Sequence, residues 1–301
     1  MTPAAPGDRA LPAALPVLVL VAAGLAWGAT QSLGKVAAST GHGPFGLIVW
    51  QQVVAVAALG PVVAWRRRPL RLDGPALRFA FVVALIGTVL PNATFYLAVA
   101  RLPAGVMSVV IAAVPLLALP MAVALGRDRL DPPRVLGLLL GAAGVVLLAA
   151  PGAALPSAAL APWLLVALCG PVLYAAEANY VAAKGHGLDP VQAILLASLM
   201  ALGLALPLAA LTGALYAPWA APGLDDAALA ASATVSALTY VAYVWLAKRT
   251  GAVFTAQLSY VVTGSGLVWA SMLLGEPLTP ALLLAALLMG GGLALVRPRP
   301  A

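Results

Sequence analysis

The stretch Trp245–Val296 decides the fold, because it reads as a second copy of Leu97–Leu148. The later copy opens on Lys248-Arg249-Thr250-Gly251-Ala252 and crosses an apolar segment of helix length. It reaches Leu274-Gly275-Glu276-Pro277-Leu278 and closes in Met289-Gly290-Gly291-Gly292-Leu293. The earlier copy opens on Arg101-Leu102-Pro103-Ala104-Gly105, crosses an apolar segment to Leu125-Gly126-Arg127-Asp128-Arg129-Leu130, and closes in Gly141-Ala142-Ala143-Gly144-Val145. The offset of 148 or 149 residues is about half of the 301-residue chain. Self-similarity at a fixed period means that one design is used twice. The expected units are residues 1–151 and 152–301.

Composition supplies the solvent. Apolar types make up 63% of the chain and charged types 8%. A soluble domain carries about 25% charged residues, so this sequence cannot cover a surface facing water. The apolar runs are close to the ~20 residues that a helix needs to cross a bilayer, not the ~10-residue alternating segments of a membrane barrel. Ten spans are expected: Ala13–Val36, Pro44–Trp65, Leu77–Val99, Ala104–Leu125, Arg134–Pro151, Leu160–Ala183, Pro190–Gly213, Ala227–Ala247, Ala252–Leu274 and Thr279–Arg297. The first run is longer than the apolar core of a cleavable signal peptide. Cys169, the single cysteine, excludes an internal disulfide and reads as a small core residue.

The charges set the sidedness. With the N-terminus in the cytoplasm, 14 of the 16 basic residues fall on the inner side, leaving only Lys35 and Arg101 outside. That is the asymmetry of the positive-inside rule. It places both termini in the cytoplasm and explains the net charge of +7 without any nucleic-acid partner. Five spans per half is an odd number, so the second half enters from the opposite face. The expected fold is an all-α integral membrane protein with ten transmembrane helices in two inverted five-helix repeats. Inverted repeats are a mark of secondary transporters, whose substrate sites lie near the bilayer midplane between the repeats.

Polar side chains in hydrocarbon are costly and therefore informative. Glu177 is the one acid well inside a span, with Tyr174 and Tyr180 at i−3 and i+3 and Asn179 close by. Trp27, Gln31 and Lys35 share a face of span one; Thr88, Asn92 and Tyr96 share a face of span three. Span eight carries Ser236, Tyr240 and Tyr243, and span nine carries Thr255, Ser259 and Thr263 with Gln257 and Tyr260 nearby. These spans are expected to line a cavity. Trp27, Tyr174, Tyr240, Tyr243 and Tyr260 supply apolar or stacking contact there, and Gln31, Asn92, Tyr96, Glu177, Asn179 and Ser259 supply polar contact. Glu177 either faces that cavity or reaches back to pair with Lys184. Lys35 is either an interface anchor or a ligand for a substrate carboxylate. Trp65, Trp163 and Trp245 read as interface anchors, and His42 and His186 as loop residues.

Ten short-looped spans in two inverted halves resemble the EamA-type branch of the drug/metabolite transporter superfamily. The resemblance is carried by Trp27-Gly28 with Lys35, by the Ala100–Gly105 turn, and by the Gly126–Leu130 and Gly275–Leu278 junctions, each before a glycine-bearing closing helix. It covers essentially Leu11 to Arg297. It implies a central cavity, alternating access, export of small metabolites such as amino acids across the inner membrane, and in many members coupling to protons. Span two departs from the pattern, carrying Trp50-Gln51-Gln52 where many relatives have an arginine.

The partners expected are a small-molecule substrate, membrane lipid and, where flux is coupled, protons; no cofactor and no metal are expected. The competing reading is an intramembrane enzyme acting on lipid or prenyl substrates. Such chemistry needs paired acids with a metal, or a nucleophile with a base. The only adjacent acids, Asp225-Asp226, fall in an outer loop, and neither histidine falls in a span. An ATP-driven pump is excluded within this chain by the lack of a GxxxxGK phosphate loop.

Overall fold

The computed structural model describes residues 14–66, 70–150, 154–184, 189–218, 223–256 and 258–296. All regular structure among them is helical. The elements are α1 (Ala14–Ala38), α2 (Pro44–Trp65), α3 (Gly74–Ala84), α4 (Leu90–Val99), α5 (Ala104–Val110), α6 (Ala113–Ala124), α7 (Pro132–Ala149), α8 (Ala161–Lys184), α9 (Pro190–Leu211), α10 (Leu224–Ala256), α11 (Leu258–Leu274) and α12 (Pro280–Leu295). His186, Arg67 and Arg68, and Gln257 lie outside the described residues. So do the side chains of residues 247–256, with Thr255 and the Lys248–Ala252 motif among them.

Among the described residues seven helical stretches are long and apolar enough to cross a membrane, and α11 and α12 are shorter apolar helices. The outward face carries many exposed apolar side chains, with Leu18, Leu139, Leu211 and Leu287 all largely exposed. An aqueous surface would not tolerate this, whereas hydrocarbon favours it.

Local chemistry explains the interruptions. Span three runs through Gly74–Val99 as one apolar stretch, but Leu85–Val89 widens into a π-helical turn between α3 and α4. Span four breaks at Ile111–Ala112 because Pro115 has no N–H to give to the Ile111 carbonyl, which Val114 N–H takes instead at 3.1 Å. The second copy departs from expectation at the corresponding entry. A connection was expected near 248–251, yet α10 continues as helix to Ala256. The first copy has Pro103 at this point, directly before α5. The second has Thr250-Gly251, whose N–H groups remain available to the helix.

Asp131, Asp189 and Thr279 cap α7, α9 and α12 by accepting backbone N–H groups, each with a proline directly after the cap. Gly126 and Gly275 end the fourth and ninth apolar segments at φ +70° and +65°, the left-handed conformation that glycine adopts without penalty. The repeat is therefore visible in the backbone as well as in the sequence.

The closing helices of the two copies, α7 and α12, pack on each other through glycine. A Cβ built on Gly137 would stand 2.6 Å from the Gly292 carbonyl oxygen, and one on Gly292 2.5 Å from the Gly137 oxygen. A Cβ on Gly144 would stand 2.6 Å from Met289 Cγ and 3.1 Å from the Ala285 oxygen. Backbones approach this closely only where side chains are absent. The helices α1 and α11 also cross tightly: Ser265 donates to the Gly24 carbonyl at 3.0 Å and Trp269 Nε1 to that of Leu25 at 2.8 Å.

One expectation about a single residue is corrected. Cys169 is exposed on the outward face of α8, not in the core; its neighbours there are lipid-facing, and its thiol donates to the Leu165 carbonyl at 3.3 Å. Trp163 lies under the Arg101 guanidinium, 4.7 Å from ring centroid to Cζ, so it holds a loop cation as well as an interface position. Trp245 packs against a cluster of Leu20, Ala23, Leu246 and Leu258. Trp65 is 84% exposed at the end of α2, as an interface residue should be.

Candidate functional site

Aromatic and polar residues of α1, α4, α8 and α10 are linked by ring contacts and by electrostatic coupling. Trp27 on α1 meets Tyr243 on α10 edge to face, with centroids 6.4 Å apart. Tyr243 meets Tyr240 one turn earlier, centroids 5.9 Å apart. The hydroxyls of Tyr240, Tyr243 and Tyr174 all lie within electrostatic range of the Glu177 carboxylate, and Tyr96 lies within range of Tyr174. Tyr96 is buried on α4 and donates to Gln51 Oε1 on α2 at 3.3 Å. The cluster thus joins Glu177 and Tyr174 from the second half, Tyr240 and Tyr243 further along it, and Trp27, Tyr96 and Gln51 from the first.

Glu177 owes its place to the π-helical turn. A Cβ built on Gly87, in the middle of that turn, would lie 2.8 Å from Glu177 Cδ and 2.9 Å from both Cγ and Oε1. The carboxyl therefore rests directly on the bare backbone of Gly87. A π-turn inside an α-helix is rare and frequently marks a functional site. Glu177 is surrounded by helices yet keeps part of its surface accessible, as do Trp27, Tyr174, Tyr240 and Tyr243. Among the described residues Glu177 has no ion pair and no hydrogen bond, so it does not pair with Lys184. Gln31 is buried and Asn92 half-buried, and neither has a hydrogen-bond partner among the described residues.

Three candidates stand apart from this cluster. The Asn179 amide donates to the carbonyls of Ala118 and Ala175, both at 3.0 Å, so its N–H groups tie α8 to α6. Tyr260 turns toward Gly290 on α12. Ser259 is half-buried on α11 and shows no contact with the aromatic cluster.

The two ends of the helix bundle differ. At the end expected to face outward, Glu276 reaches from the α11–α12 junction to the start of α5. Its two carboxylate oxygens accept the N–H groups of Ala104 and Gly105, both at 2.8 Å. Lys35 Nζ sits 3.9 Å from Glu276 and donates to the carbonyls of Leu102 and Val99, at 2.5 and 3.3 Å. Lys35 is therefore fully engaged within the protein. A carboxylate at a helix N-terminus meets both the unpaired N–H groups and the positive end of the helix dipole. Nearby, His42 stacks on Tyr216 at 3.8 Å. Burial pushes the Tyr216 hydroxyl above its ordinary range, and Asp226 and Asp225 add to that shift.

At the other end, α6 and α8 leave a cleft of about 440 Å³ lined by Met121, Leu125, Arg127, Asn179, Tyr180 and Lys184 among others. The Arg127 guanidinium, donating to the Asn179 carbonyl at 3.0 Å, and the Asn179 amide, donating to that of Ala118, join its two walls.

Sequence reading missed two residues. Gly87 is hidden because nothing in a local pattern reveals what a distant side chain rests on. Glu276 lies between two spans and offers no polar pattern of its own, although its alignment with Arg127 after a glycine in each copy is a signal that both junctions carry a working charge.

With this geometry in view, comparison with known proteins gives a direct answer. The model of the EamA-like transporter family matches the chain twice, over residues 14–150 and 161–297. The chain belongs to the EamA-like transporter family. It is thus a multi-pass membrane transporter of the drug/metabolite type. Seventeen chains of solved structures also match. One, described only as "Crystal structure of protein", has a TM-score of 0.63 over 94% of this chain and 96% of its own at 22% identity, and so shares its fold. The comparison with curated proteins gives no match.

Proposed function

We propose that this EamA-like protein is a secondary transporter that exports small amphipathic metabolites, such as amino acids, across the inner membrane by alternating access. Both termini lie on the cytoplasmic side in this reading. The observation that carries it is the Glu177 carboxylate, partnerless among the described residues and lying on Gly87 where the two halves meet, with three tyrosines within its electrostatic range and Trp27 against one of them. A charge held at such depth without a counter-charge is costly, and proteins retain one there for substrate or ion handling. The unequal ends support the motion: one is clamped by Glu276, while the other opens into a cleft.

The test is efflux from reconstituted liposomes loaded in turn with labelled amino acids, nucleosides and sugars. Saturable exit of one class, competed by its analogues, is expected; exit no faster than from empty liposomes for every solute would overturn the reading. With a proton gradient imposed, wild-type exit should change with pH and the Glu177→Gln variant should not. PH dependence that survives in the variant would remove protons from the mechanism and leave transport standing.

A further inference from the structure

We propose that the cleft between α6 and α8 is a site for an anionic phospholipid, whose headgroup phosphate sits between Arg127 and Lys184. The inference goes beyond the transport reading and does not depend on which solute is carried.

The two halves carry matching parts at their two ends and use them differently. Lys35 and Lys184 are the basic residues in the last turns of α1 and α8, the helices that open the two family matches. Lys35 finds a carboxylate, that of Glu276, which also holds the start of α5. At the other end the junction after the left-handed glycine is longer by one residue: Arg127 to Leu130 lie between Gly126 and the cap Asp131, but only Glu276 to Leu278 between Gly275 and the cap Thr279. Counted from the glycine, Arg127 stands where Glu276 does; counted from the cap, Asp128 does. Asp128 is taken up by Arg134, whose guanidinium donates to it at 2.6 Å, and by the Arg129 N–H at 2.7 Å. The acid of this junction is thus drawn onto α7, while its base lines the cleft together with Lys184.

The two positive charges are not answered nearby. Arg127 commits one N–H to the Asn179 carbonyl at 3.0 Å, and a guanidinium has five. Lys184 has no hydrogen bond or ion pair among the described residues. Asp131 lies 3.8 Å from Arg134, and Asp189 caps α9 at 3.7 Å from Arg66. No acid is among the residues that line the cleft. Asp8 is the one acid of the chain outside the described residues.

The rest of the cleft decides the kind of anion. It lies at the ends of two membrane-crossing stretches, Ala104–Ala124 and Ala158–Lys184, and Met121, Leu125 and Tyr180 line its volume of about 440 Å³ beside the two bases. Lipid headgroups lie at that depth, and apolar walls suit an acyl chain joined to the phosphate better than a free ion. Basic pockets between membrane helices bind acidic headgroups, and the guanidinium fork matches phosphate oxygens.

The experiment is native mass spectrometry of the purified full chain, released from a nonionic detergent and titrated with dioleoyl phosphatidylglycerol. Dioleoyl phosphatidylcholine carries the same chains on a headgroup without net charge, and inorganic phosphate carries the anion without chains. A saturating phosphatidylglycerol adduct is expected, with phosphatidylcholine at least about tenfold weaker and inorganic phosphate unable to displace the lipid at equal concentration. Arg127→Gln and Lys184→Gln should each weaken the adduct by about fivefold, the share of one base at an acidic lipid surface. Arg127→Lys keeps the charge and should lose less. Arg129→Gln removes the same charge from the same junction but outside the cleft, and should change nothing. Asp8→Asn should also bind as wild type. Thermal unfolding midpoints check that each variant is folded.

Equal adducts of the two lipids would overturn the proposal. So would a loss in Arg129→Gln equal to that in Arg127→Gln, which would mean diffuse attraction to a basic surface. Displacement of the lipid by inorganic phosphate would make the occupant a soluble anion, and a tighter adduct in Asp8→Asn would make it the N-terminal segment of the chain; either result overturns the lipid. The liposome assay decides transport separately: absence of any exit overturns that reading and leaves the lipid adduct to be judged on its own.

Discussion

At the scale of single residues, the site depends on one missing side chain. Gly87 lets Glu177 lie on the backbone of span three, and any Cβ there comes within 2.9 Å of the carboxyl. Gly87→Ala should therefore move the carboxylate, not merely crowd it, because the far end of a glutamate yields more readily than a helix backbone. The expected result is a several-fold rise in the solute concentration giving half-maximal exit, with folded yield close to wild type. A variant that transports with unchanged affinity would show that the contact is only packing. Glu177 itself was legible in sequence, since an acid inside an apolar run is conspicuous. So were Tyr174, Tyr240, Tyr243 and Trp27 as members of a cavity. Their mutual arrangement was not, because it depends on how three helices distant in sequence are rotated. Asn179 shows the limit of that kind of inference: it shares a helix with Glu177, yet its amide is spent on Ala118 and Ala175. Lys35 shows it again, being taken up by carbonyls at the end of the neighbouring segment.

At the scale of elements, the outer clamp joins the junction before α12 to the start of α5 through two 2.8 Å hydrogen bonds to one carboxylate. Hydrogen bonds to a charged group are each worth about 1.5–3 kcal/mol when the partner would otherwise stay unsatisfied. Glu276→Ala leaves both N–H groups and the Lys35 charge without their acceptor, and it should lower the thermal unfolding midpoint of the detergent-solubilised protein by several degrees. Glu276→Gln retains acceptor capacity and should lose less. Equal midpoints for wild type and Glu276→Ala would mean that the clamp contributes nothing net. If alternating access operates, the same alanine variant should also favour the state open at that end, readable as faster labelling of a cysteine introduced at Ala104 in a background lacking Cys169. The sequence placed most helix ends well, because proline, capping residues and left-handed glycines mark them locally. It placed the connection between the eighth and ninth spans wrongly. There the marker used in the first copy, Pro103, has no equivalent, and the helix runs on to Ala256.

At the scale of the whole molecule, the contact between α7 and α12 has a further meaning. Gly137 meets Gly292, and Gly144 meets Ala285. Counterparts in the two copies stand 148 residues apart, so Gly292 is the counterpart of Gly144 and Ala285 that of Gly137. The same two positions therefore touch the same two partners in both directions. This is the signature of an isologous contact, the kind that joins identical subunits across a two-fold axis. The covalent link between the halves thus connects surfaces that are already self-complementary. A chain cut within residues 151–160 and expressed as two separate pieces should reassemble in the membrane and recover solute exit, and Gly292→Leu should abolish that recovery before it abolishes the activity of the uncut chain. Read this way, the single polypeptide is a tethered dimer, and its tether fixes partner choice and stoichiometry where the glycine seam supplies the affinity.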